Sequence, residues 1–414
     1  MRITVLGGAG LMGSGVIRDL ISDRTICPLS EIRVCDVSRE RIDRLIGELH
    51  DPRLSGYVLD VANRDQLHGA LEGANLCINS VPTLSGFQMS IFEAALAAGV
   101  DYLDLGGLGI FTAPQKAAHD RFKRAGVTAV IGAGSDPGMS NVICRLVADE
   151  LDSIERINLY WACERVGPES PVLTPPYNLS TVLAEYARPS IQFLGGQHRE
   201  VAPLTGLETL DLPEPFGKTE FIYTPHSEQL TVPLADGIRE KGIKEFTWRL
   251  HLPRREHEAW VGLIKAGFGD FEDPVMANGV AVRPLDVLQE VMSRNIERKR
   301  DSIPAQSSHE IHFAIGHGVK DGVATTVQCD VVIKPDSLYD SYVDAGTSMN
   351  ASIAAQLMLL APRKPGVWAP EEYFVVAPYV AELRKRKFAV STRTTQFVPP
   401  ADGQRTTAAA IQRA

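Results

Sequence analysis

The first third of the chain alternates short apolar runs with segments in which apolar residues recur every three or four positions. Six runs are typical of strands buried on both faces, and they span residues 3–6, 32–35, 57–61, 76–81, 102–105 and 128–131. Between them, residues such as Ile42, Leu45 and Leu49 recur at helical spacing. Strands that alternate with helices in this way predict an α/β fold with a doubly wound parallel sheet.

The pattern changes after residue 153, where strand-like runs follow one another with fewer helices. Runs at 154–163, 192–194, 221–223, 246–252 and 259–264 predict strands, and a helix is predicted at 178–188. Two longer runs, 308–320 and 323–334, flank the hairpin dipeptide Asp321-Gly322. These features predict a second, mixed α/β domain whose sheet is partly antiparallel.

The last third of the chain contains two predicted helices and a tail. A helix at 283–300 is expected to cover one face of the second domain, and 348–360 is apolar enough to be buried against the first domain or a partner subunit. The predicted boundaries are 1–135 for the parallel-sheet domain and 136–345 for the mixed domain. Residues 346–390 are predicted to form helices that pack back on the core, and 391–414 to form a flexible tail.

The turn after the first predicted strand has the pattern Gly8-x-Gly10-x-x-Gly13, and Asp36 ends the second strand. This order of elements predicts a Rossmann domain that binds a dinucleotide: a strand, a glycine turn, a helix, a second strand and an acidic residue. The three glycines allow a sharp turn, room for a pyrophosphate and close helix packing. Leu11 and Met12 then lie at the helix N-terminus, whose N–H groups face the anion. A tight turn without a ligand is the alternative.

Asp36 and its neighbour Val37 predict which dinucleotide is bound. An acid at this position accepts hydrogen bonds from the ribose diol and repels a 2′-phosphate, so NAD is favoured. NADP remains open, because Ser38 and Arg39 follow closely and can bind a phosphate.

Other strand ends should also face the ligand, because ligands of such sheets bind at the carboxyl ends of the strands. Further cofactor contacts are predicted after the third and fourth strands, at Asp60, Val61, Ser80, Val81 and Pro82. Substrate contacts are predicted after the fifth and sixth strands, at Gly106, Asp136, Pro137, Gly138 and Asn141. Asp104 is a candidate catalytic acid, with helix capping as its alternative, and turn formation is the alternative for Asp136.

Composition limits the remaining function classes. A chain of 414 residues suits two domains, and a formal charge of −9 without a basic stripe argues against a nucleic-acid partner. The six cysteines are scattered, which predicts a reducing compartment and no metal-binding cysteine pair. No apolar run approaches the ~20 residues that span a bilayer. A cytoplasmic protein without a membrane partner is expected.

Several segments resemble the saccharopine dehydrogenase-like family. They are Gly8-x-Gly10-x-x-Gly13, Asp60-Val61, Asn79-x-Val81-Pro82, Tyr102-x-Asp104-Leu105, Asp136-Pro137-Gly138-Met139, Tyr177-Asn178, Glu185-Tyr186, Arg188-Pro189 and the segment 366–372. The resemblance implies a Rossmann domain joined to an α/β domain that shapes a substrate pocket and often pairs two subunits. It also implies nicotinamide-dependent interconversion of C–N single and double bonds in a small amino-acid substrate.

The branch of the family stays open. Saccharopine reductases have the pattern Tyr-x-Asp-x-x-Gly-Glu after the fifth strand. This chain has Tyr102, Asp104 and Gly107 but lacks the glutamate, which favours the lysine 6-dehydrogenase-like branch. The segment 134–138 is closer to the reductases, so condensation of the saccharopine or carboxynorspermidine type is the alternative. A dinucleotide-binding sensor without catalysis is a further alternative.

Amine oxidation needs a base, and histidine suits that role near neutral pH. His226 is the preferred candidate, because Pro225 fixes its loop at a strand end, and Tyr177 is a candidate donor. Arg188 can grip a substrate carboxylate in a bidentate manner. Each residue also has a structural alternative. His226 can be a hydrogen-bonded structural histidine, Tyr177 a packing residue, and Arg188 a cation that binds carbonyl groups at its own helix end. His309, His312 and His317 share one strand but not one face, so no metal site is expected.

Overall fold

A computed structural model describes residues 1–270, 272–304, 307–334 and 345–397. Within these ranges the amino-terminal domain is built on a seven-stranded, wholly parallel sheet of order β17-β6-β5-β4-β1-β2-β3. Its strands are β1 (Arg2–Leu6), β2 (Glu31–Asp36), β3 (Leu54–Val58), β4 (Leu76–Asn79), β5 (Asp101–Asp104), β6 (Thr128–Val130) and β17 (Gly366–Trp368).

Helices connect these strands and cover the sheet. They are α1 (Leu11–Ile21), α2 (Arg39–Leu49), α3 (Arg64–Leu71), α4 (Gln88–Ala98), α5 (Thr112–Ala117) and α6 (His119–Ala125). The central strands are buried along their whole length, which explains their continuous apolar runs. The predicted doubly wound sheet is confirmed.

Two features of this sheet differ from the prediction. The third strand was predicted at 57–61 but occupies Leu54–Val58, because β3 is an edge strand whose Tyr57 and Val58 are exposed. Its apolar run therefore does not mark the buried segment. The seventh strand, β17, comes from the carboxyl-terminal part of the chain and pairs with β6.

The second domain has a nine-stranded mixed sheet within the described residues. Its strands are β7 (Ser153–Val166), β8 (Ser190–Leu194), β9 (Gln197–Val201), β10 (Glu208–Leu212), β11 (Gly217–Tyr223), β12 (Glu245–His251), β15 (Ser307–Lys320), β16 (Val323–Ile333) and β18 (Ala389–Phe397). Only the β12–β7 pair is parallel among the described pairs of this sheet. A separate hairpin is formed by β13 (Val275–Ala277) and β14 (Val280–Val282).

Helices of the second half lie against this sheet or return to the first domain. They are α7 (Met139–Asp149), α8 (Leu179–Ala187), α9 (Glu228–Thr231), α10 (Arg254–Leu263), α11 (Pro284–Arg298), α12 (Ala345–Leu360), α13 (Pro370–Tyr373) and α14 (Val376–Lys385). The predicted combination of a parallel-sheet domain and a mixed α/β domain is confirmed. The predicted hairpin at Asp321-Gly322 joins β15 to β16.

Two predicted elements are wrong. The run at 259–264 belongs mostly to α10 and not to a strand, because polar residues before it complete a helix whose buried side holds Glu256, His257 and Trp260. Residues 391–397, predicted to begin a flexible tail, complete β18, which pairs with β16. Residues 398–414 of that predicted tail lie outside the described residues.

Contacts between α1 and the carboxyl-terminal helices join the two halves of the chain. The Ser348 hydroxyl of α12 donates to the Met12 carbonyl oxygen at 3.0 Å. Arg386, just after α14, forms a fully buried ion pair with Asp19 of α1 at 2.7 Å. The apolar helix predicted at 348–360 is therefore buried against the first domain. A search of the described helices found none with the length and apolar character to cross a membrane.

Candidate active site

A cavity of about 620 Å³ lies between the carboxyl ends of the parallel strands and the second domain. One wall consists of the loops that follow β1 to β5. The other wall contains Trp161 of β7, Tyr177 just before α8, His226, and Glu310 of β15. Its size falls within the range of small-molecule and cofactor sites. Both domains thus contribute to one candidate site.

The glycine turn after β1 leaves room for a phosphate group. Gly7 has a φ of +71°, and a Cβ on Gly13 would overlap the Gly7 carbonyl oxygen, so both positions require glycine. Gly10 is the N-cap of α1 and has no side chain to cap the first-turn N–H groups. Gly10, Leu11 and Met12 line the cavity, so those amides are available to an anionic ligand. Gly8 is a packing position, where a Cβ would approach the Val5 carbonyl oxygen to 2.9 Å.

Asp36 lies at the end of β2, lines the cavity and is almost wholly buried. Its Oδ1 accepts a hydrogen bond from the Ser38 N–H at 3.1 Å and one from the Arg41 guanidinium at 2.7 Å. Arg41 also lines the cavity and is half-exposed. Arg39, the phosphate-binding candidate from the sequence, instead lies 3.6 Å from Asp43 on the surface of α2. Val37 is exposed at the cavity rim.

The remaining predicted cofactor residues also line the cavity. They are Asp60, Val61, Ser80, Val81 and Pro82. Asp60 is exposed and accepts a hydrogen bond from the Ala62 N–H at 2.9 Å, whereas the Ser80 hydroxyl donates to the Leu6 carbonyl oxygen at 2.6 Å. The Ser80 side chain therefore holds the end of β4 against β1.

His226 is buried at the cavity wall and is held by Glu228 and by Trp248. Its Nδ1 lies 2.6 Å from Glu228 Oε2, and its ring stacks on Trp248 at 4.4 Å with an interplanar angle of 6°. Glu228 Oε1 accepts hydrogen bonds from the Ser140 hydroxyl at 2.7 Å and from Trp248 Nε1 at 3.1 Å. This histidine is fixed in orientation and its Nε2 is the nitrogen left for a substrate.

Burial alone would lower the pKa of His226, because the imidazolium loses its hydration. The Glu228 carboxylate outweighs that effect, and the net result is a raised pKa. A histidine with this environment can accept a proton and hold it beside a buried carboxylate.

Tyr177 lines the cavity just before α8 and donates a hydrogen bond from its hydroxyl to the Glu185 carboxylate. Its ring lies 6.0 Å from the Trp161 ring. Glu185 is itself buried and lines the cavity. Asn178, the N-cap of α8, accepts hydrogen bonds from the N–H groups of Ser180 and Thr181 and so fixes the start of this helix.

Asp136 lines the cavity after β6 and contacts the second sheet. Its Oδ2 lies 2.6 Å from Nδ1 of His312, whose Nε2 lies 3.4 Å from Glu310 Oε2. His312 and Glu310 occupy β15, and His312 is paired in register with Trp161 of β7. Acidic groups, a histidine and an indole ring therefore share one end of the site.

The structure gives Asp104 a different role from the predicted catalytic one. Its carboxylate is buried and accepts four hydrogen bonds, from the Gly106 and Gly132 N–H groups and from the Gln88 and Gln115 amides. Burial raises the pKa of Asp104 despite these donors. Asp104 is absent from the described cavity lining, and it ties together the loops after β5 and β6.

Most of the predicted substrate residues support the wall from behind. Gly106 and Asp136 line the cavity, whereas Pro137, Gly138 and Asn141 do not belong to its described lining. The Pro137 ring packs on Gly106, and the Asn141 side chain accepts from the Gly138 N–H at 2.8 Å and donates to Glu371 at 2.8 Å. These residues set the shape of the loop that carries Asp136.

Arg188 follows the last turn of α8, where its N–H donates to the Ala184 carbonyl oxygen at 3.0 Å. Its side chain is not part of the cavity lining formed by the described residues. A contact between Arg188 and a substrate carboxylate therefore stays a prediction.

In the described ranges, no group of three or more His, Cys, Asp or Glu side chains has an arrangement suited to a metal ion.

Residues 3–130 match the family model of the saccharopine dehydrogenase NADP binding domain. The amino-terminal sheet is a nucleotide domain of this type. The resemblance predicted from the sequence is confirmed, and so is a nicotinamide dinucleotide as the cofactor. The family description names NADP, whereas Asp36 favoured NAD, so the choice between them depends on residues around the ribose site.

Two relatives and one solved structure extend the comparison to the second domain. Carboxynorspermidine synthase of Vibrio cholerae is 26% identical over 243 residues, which are 53% of this chain and 53% of that protein. Carboxyaminopropylagmatine dehydrogenase of Synechocystis sp. is 23% identical over 401 residues, which are 92% of this chain and 95% of that protein. The chain thus matches about half the length of the first relative and nearly all of the second.

The apo saccharopine dehydrogenase (L-Glu forming) of Saccharomyces cerevisiae has the same arrangement of domains. It aligns with a TM-score of 0.70 at 14% identity, and the alignment covers 95% of this chain and 99% of that one. At this level of identity the comparison establishes a shared fold that includes both the nucleotide domain and the mixed sheet.

The sequence assigned no role to Glu185 in the cavity lining, to Glu228 and Trp248 beside His226, or to four further side chains. Trp161, Glu310 and His312 lie on neighbouring strands of the second sheet, and only the register of β7 with β15 brings them together. Arg41 lies one helical turn inside α2 and reaches back to Asp36. A usable signal was present for Glu310 and His312, since two polar residues at i and i+2 interrupt the apolar pattern of a long strand.

Proposed function

We propose that the protein is a nicotinamide-dependent oxidoreductase that oxidises or reduces a C–N bond of an amine or amino acid. The proposal rests mainly on the His226–Glu228 pair, which borders the same cavity as the dinucleotide-binding strand ends. The nucleotide domain and the two relatives, both named for carboxylated amines, support it.

The bound nicotinamide ring would accept or donate a hydride. The glycine turn and first-turn amides of α1 would hold its pyrophosphate, and Asp36 would hold the adenosine ribose. The structural fit is good, because the turn excludes any Cβ at Gly13 and leaves the α1 amides facing the cavity.

In the oxidative direction, His226 would take a proton from the substrate ammonium group, because only a neutral amine can release a hydride from its carbon. Glu228 would stabilise the imidazolium that forms, and the stacked Trp248 would keep the ring in place. In the reductive direction the same nitrogen would return the proton to an imine. The Tyr177 hydroxyl donates its hydrogen to Glu185, so its oxygen would accept a hydrogen bond from the substrate nitrogen or from the water that attacks the imine.

Two variants of this chemistry are consistent with the chain. Oxidative deamination, as in lysine 6-dehydrogenase, is favoured because the glutamate that follows Gly107 in the saccharopine reductase pattern is missing here. Reductive condensation of an amine with a carbonyl compound is the second candidate. It is favoured by the relative that aligns over 92% of this chain and is named for carboxyaminopropylagmatine.

The test is a turnover assay that follows reduced nicotinamide by its absorbance. The full-length protein is mixed with NAD or NADP and with lysine, ornithine, aliphatic diamines, or saccharopine. The reverse assay combines the reduced cofactor, a diamine and an amino-acid semialdehyde. Turnover with any of these combinations supports a C–N oxidoreductase, and the productive combination identifies deamination or condensation. Cofactor binding without turnover in either direction would instead favour a dinucleotide sensor.

A further inference from the structure

Trp248 of β12 contacts both members of the His226–Glu228 pair. Its ring stacks on the His226 ring at 4.4 Å with an interplanar angle of 6°, and its Nε1 donates to Glu228 Oε1 at 3.1 Å. Trp248 is 1% exposed and does not belong to the described cavity lining, whereas His226 does. A substrate in the cavity therefore contacts the histidine, and Trp248 can affect the reaction through the pair.

The two oxygens of Glu228 have different partners. Oε1 accepts from Trp248 and, at 2.7 Å, from the hydroxyl of Ser140, the second residue of α7. Oε2 lies 2.6 Å from His226 Nδ1. The Glu228 side chain is fully buried, so two donors on one oxygen prevent the carboxylate from turning and keep its other oxygen on Nδ1. Nδ1 then carries a proton in both charge states, and Nε2 is the nitrogen that gains and loses one.

Hydrogen bonds also fix the indole of Trp248 relative to the loop that carries His226. The Trp248 N–H donates to Gln192 Oε1 at 2.9 Å, and Nε2 of the same glutamine donates to the Thr224 carbonyl oxygen at 3.4 Å. Gln229 donates to that carbonyl oxygen as well, at 2.9 Å. The strand with the indole and the loop with the imidazole are thus tied together, and the stacked geometry does not depend on packing alone.

The surroundings of His226 favour its protonated form. Burial lowers the pKa of His226, and the carboxylates of Glu228, of Glu185 in α8 and of Asp136 after β6 raise it, with a raised pKa as the net result. The face of an indole ring carries partial negative charge, so an imidazole stacked on it is more stable when it is positively charged. Trp248 thus acts in the same direction as the three carboxylates.

We propose that Trp248 is a positioning residue that controls proton transfer at His226. Its N–H, together with the Ser140 hydroxyl, keeps the Glu228 carboxylate on Nδ1, and its ring face stabilises the imidazolium. The proton that Nε2 takes from the substrate ammonium group, or returns to an imine nitrogen, is held with an affinity that these contacts set. This inference rests on the proposed function, because it concerns the base assigned there.

Steady-state kinetics over a range of pH separates the two contacts of Trp248. Trp248→Phe keeps an aromatic face and loses the N–H donor, Trp248→Leu loses both, and Ser140→Ala loses the second donor to Glu228. We expect kcat to fall about threefold to tenfold in Trp248→Phe and Ser140→Ala and at least about tenfold in Trp248→Leu. KM should stay within about twofold of wild type, because neither residue belongs to the described cavity lining.

The pH profile of kcat isolates the effect of the ring face. Trp248→Phe and Trp248→Leu both lack the indole N–H, and the leucine variant also lacks an aromatic ring. The limb of the profile that reports protonation of the base should therefore lie at lower pH in Trp248→Leu than in Trp248→Phe, because the imidazolium has lost a stabilising contact.

Trp260→Phe is the matched control for the loss of a buried indole. Trp260 is fully buried in α10, and its Nε1 has no hydrogen-bond partner among the described residues. This variant should keep the kcat and the pH profile of wild type.

Fluorine NMR reports the protonation of His226 without any substrate. The chain contains four tryptophans, so the full-length protein labelled with 5-fluorotryptophan should give four signals. The Trp248 signal, identified by its absence in Trp248→Phe, should shift with pH as the stacked imidazole gains a proton. That shift should be lost in His226→Ala, and the midpoint of the titration should change in Ser140→Ala.

Three results would overturn the role of Trp248. The first is wild-type kcat with a wild-type pH profile in folded Trp248→Leu and Ser140→Ala. The second is a larger change in KM than in kcat. The third is the absence of any wild-type fluorine signal whose pH dependence is lost in His226→Ala, which decides the question even if the Trp248 variants fail to fold.

Failure of this inference can be told apart from failure of the proposed function. If no amine reduces the cofactor and the reverse reaction is absent, while the Trp248 signal follows the protonation of His226, control of that protonation stands and the oxidoreductase does not. Amine turnover with wild-type kinetics in both Trp248 variants would leave the oxidoreductase standing and remove the role of Trp248.

Discussion

At the scale of single residues, the candidate site depends on pairs in which one side chain fixes the chemistry of another. Glu228 does this for His226, Glu185 for Tyr177, and Arg41 for Asp36. In each pair the two residues lie at most eight positions apart in the sequence. Once one member has been identified as a candidate site residue, its partner can therefore be sought among its neighbours in the sequence.

Substitution of His226 tests the proton transfer. His226→Ala should lower kcat by about 10²–10⁴-fold with a much smaller change in KM, because the nitrogen acts on the proton and not on substrate binding. The measurement is steady-state kinetics with the best amine from the turnover assay. His68→Ala, on the exposed surface of α3, is the control and should behave like wild type. Unchanged kcat in His226→Ala would assign the base to another residue.

Asp36 and Arg41 should set the choice between NAD and NADP in opposite directions. Asp36→Ala removes the acceptor for the ribose diol and frees the Arg41 guanidinium, so NAD binding should weaken and NADP binding should improve. Arg41→Ala should weaken NADP binding by about tenfold or more, because one phosphate contact is lost. Dissociation constants of both cofactors for both variants are the measurement. Equal losses for NAD and NADP in both variants would contradict discrimination at this site.

At the scale of elements, the parallel-sheet domain was predictable because its signals are local. Each buried strand is a continuous apolar run, and the glycine turn lies between β1 and α1 in the expected order. The error at β3 has a physical cause, since an edge strand exposes Tyr57 and Val58 and so loses the contrast between strand and loop. The helix α10 was missed because its apolar residues are consecutive at 259–261 while its buried side depends on Glu256 and His257.

The start of α1 gives a test of the glycine turn as an element. Gly13→Ala places a methyl group against the Gly7 carbonyl oxygen, so it should displace α1 from the turn and weaken binding of both cofactors by at least tenfold. Gly47→Ala is the matched control, because Gly47 lies in α2 with no atom within 4 Å of its added Cβ. That change should raise stability by up to about 1 kcal/mol. Titration with NAD and NADP, together with thermal unfolding, measures both. Wild-type affinity in Gly13→Ala would contradict the role of the turn.

At the scale of the whole molecule, the fold depends on contacts that no local pattern contains. The chain leaves the first domain after β6 and returns to it with β17 beside β6 and with α12 against α1. The cluster of Asp136 with Glu310 and His312 likewise forms only when β15 has paired with β7. The sequence therefore predicted most of the cavity wall that follows the parallel strands and only part of the opposite wall. A homodimer, which the family resemblance implies through its subunit-pairing domain, stays a prediction.

Glu371 of α13 lies where the carboxyl-terminal segment meets α7, and its ionisation should couple that junction to pH. It is buried, it accepts a hydrogen bond from Asn141 at 2.8 Å, and burial together with the neighbouring Glu372 raises its pKa to about 7. The folded protein then holds a proton that the unfolded chain releases near the ordinary pKa of 4.5. The free energy of unfolding should therefore fall as pH rises from about 4.5 to about 7.

Glu371→Gln keeps the hydrogen-bond acceptor and removes the ionisation, so it should remove this part of the pH dependence. Relative to wild type, the variant should gain up to about 3 kcal/mol in going from about pH 5 to about pH 8. Urea unfolding at both pH values measures the gain. His312, whose pKa is raised to about 10, also lowers the free energy of unfolding as pH rises above its ordinary 6.5, because the unfolded chain then releases a proton that the folded protein keeps. This slope is common to both proteins. Glu40→Gln, an exposed change on α2, should track wild type at each pH. If the free energy of unfolding of Glu371→Gln changes with pH as that of wild type does, ionisation of Glu371 does not cause this pH dependence.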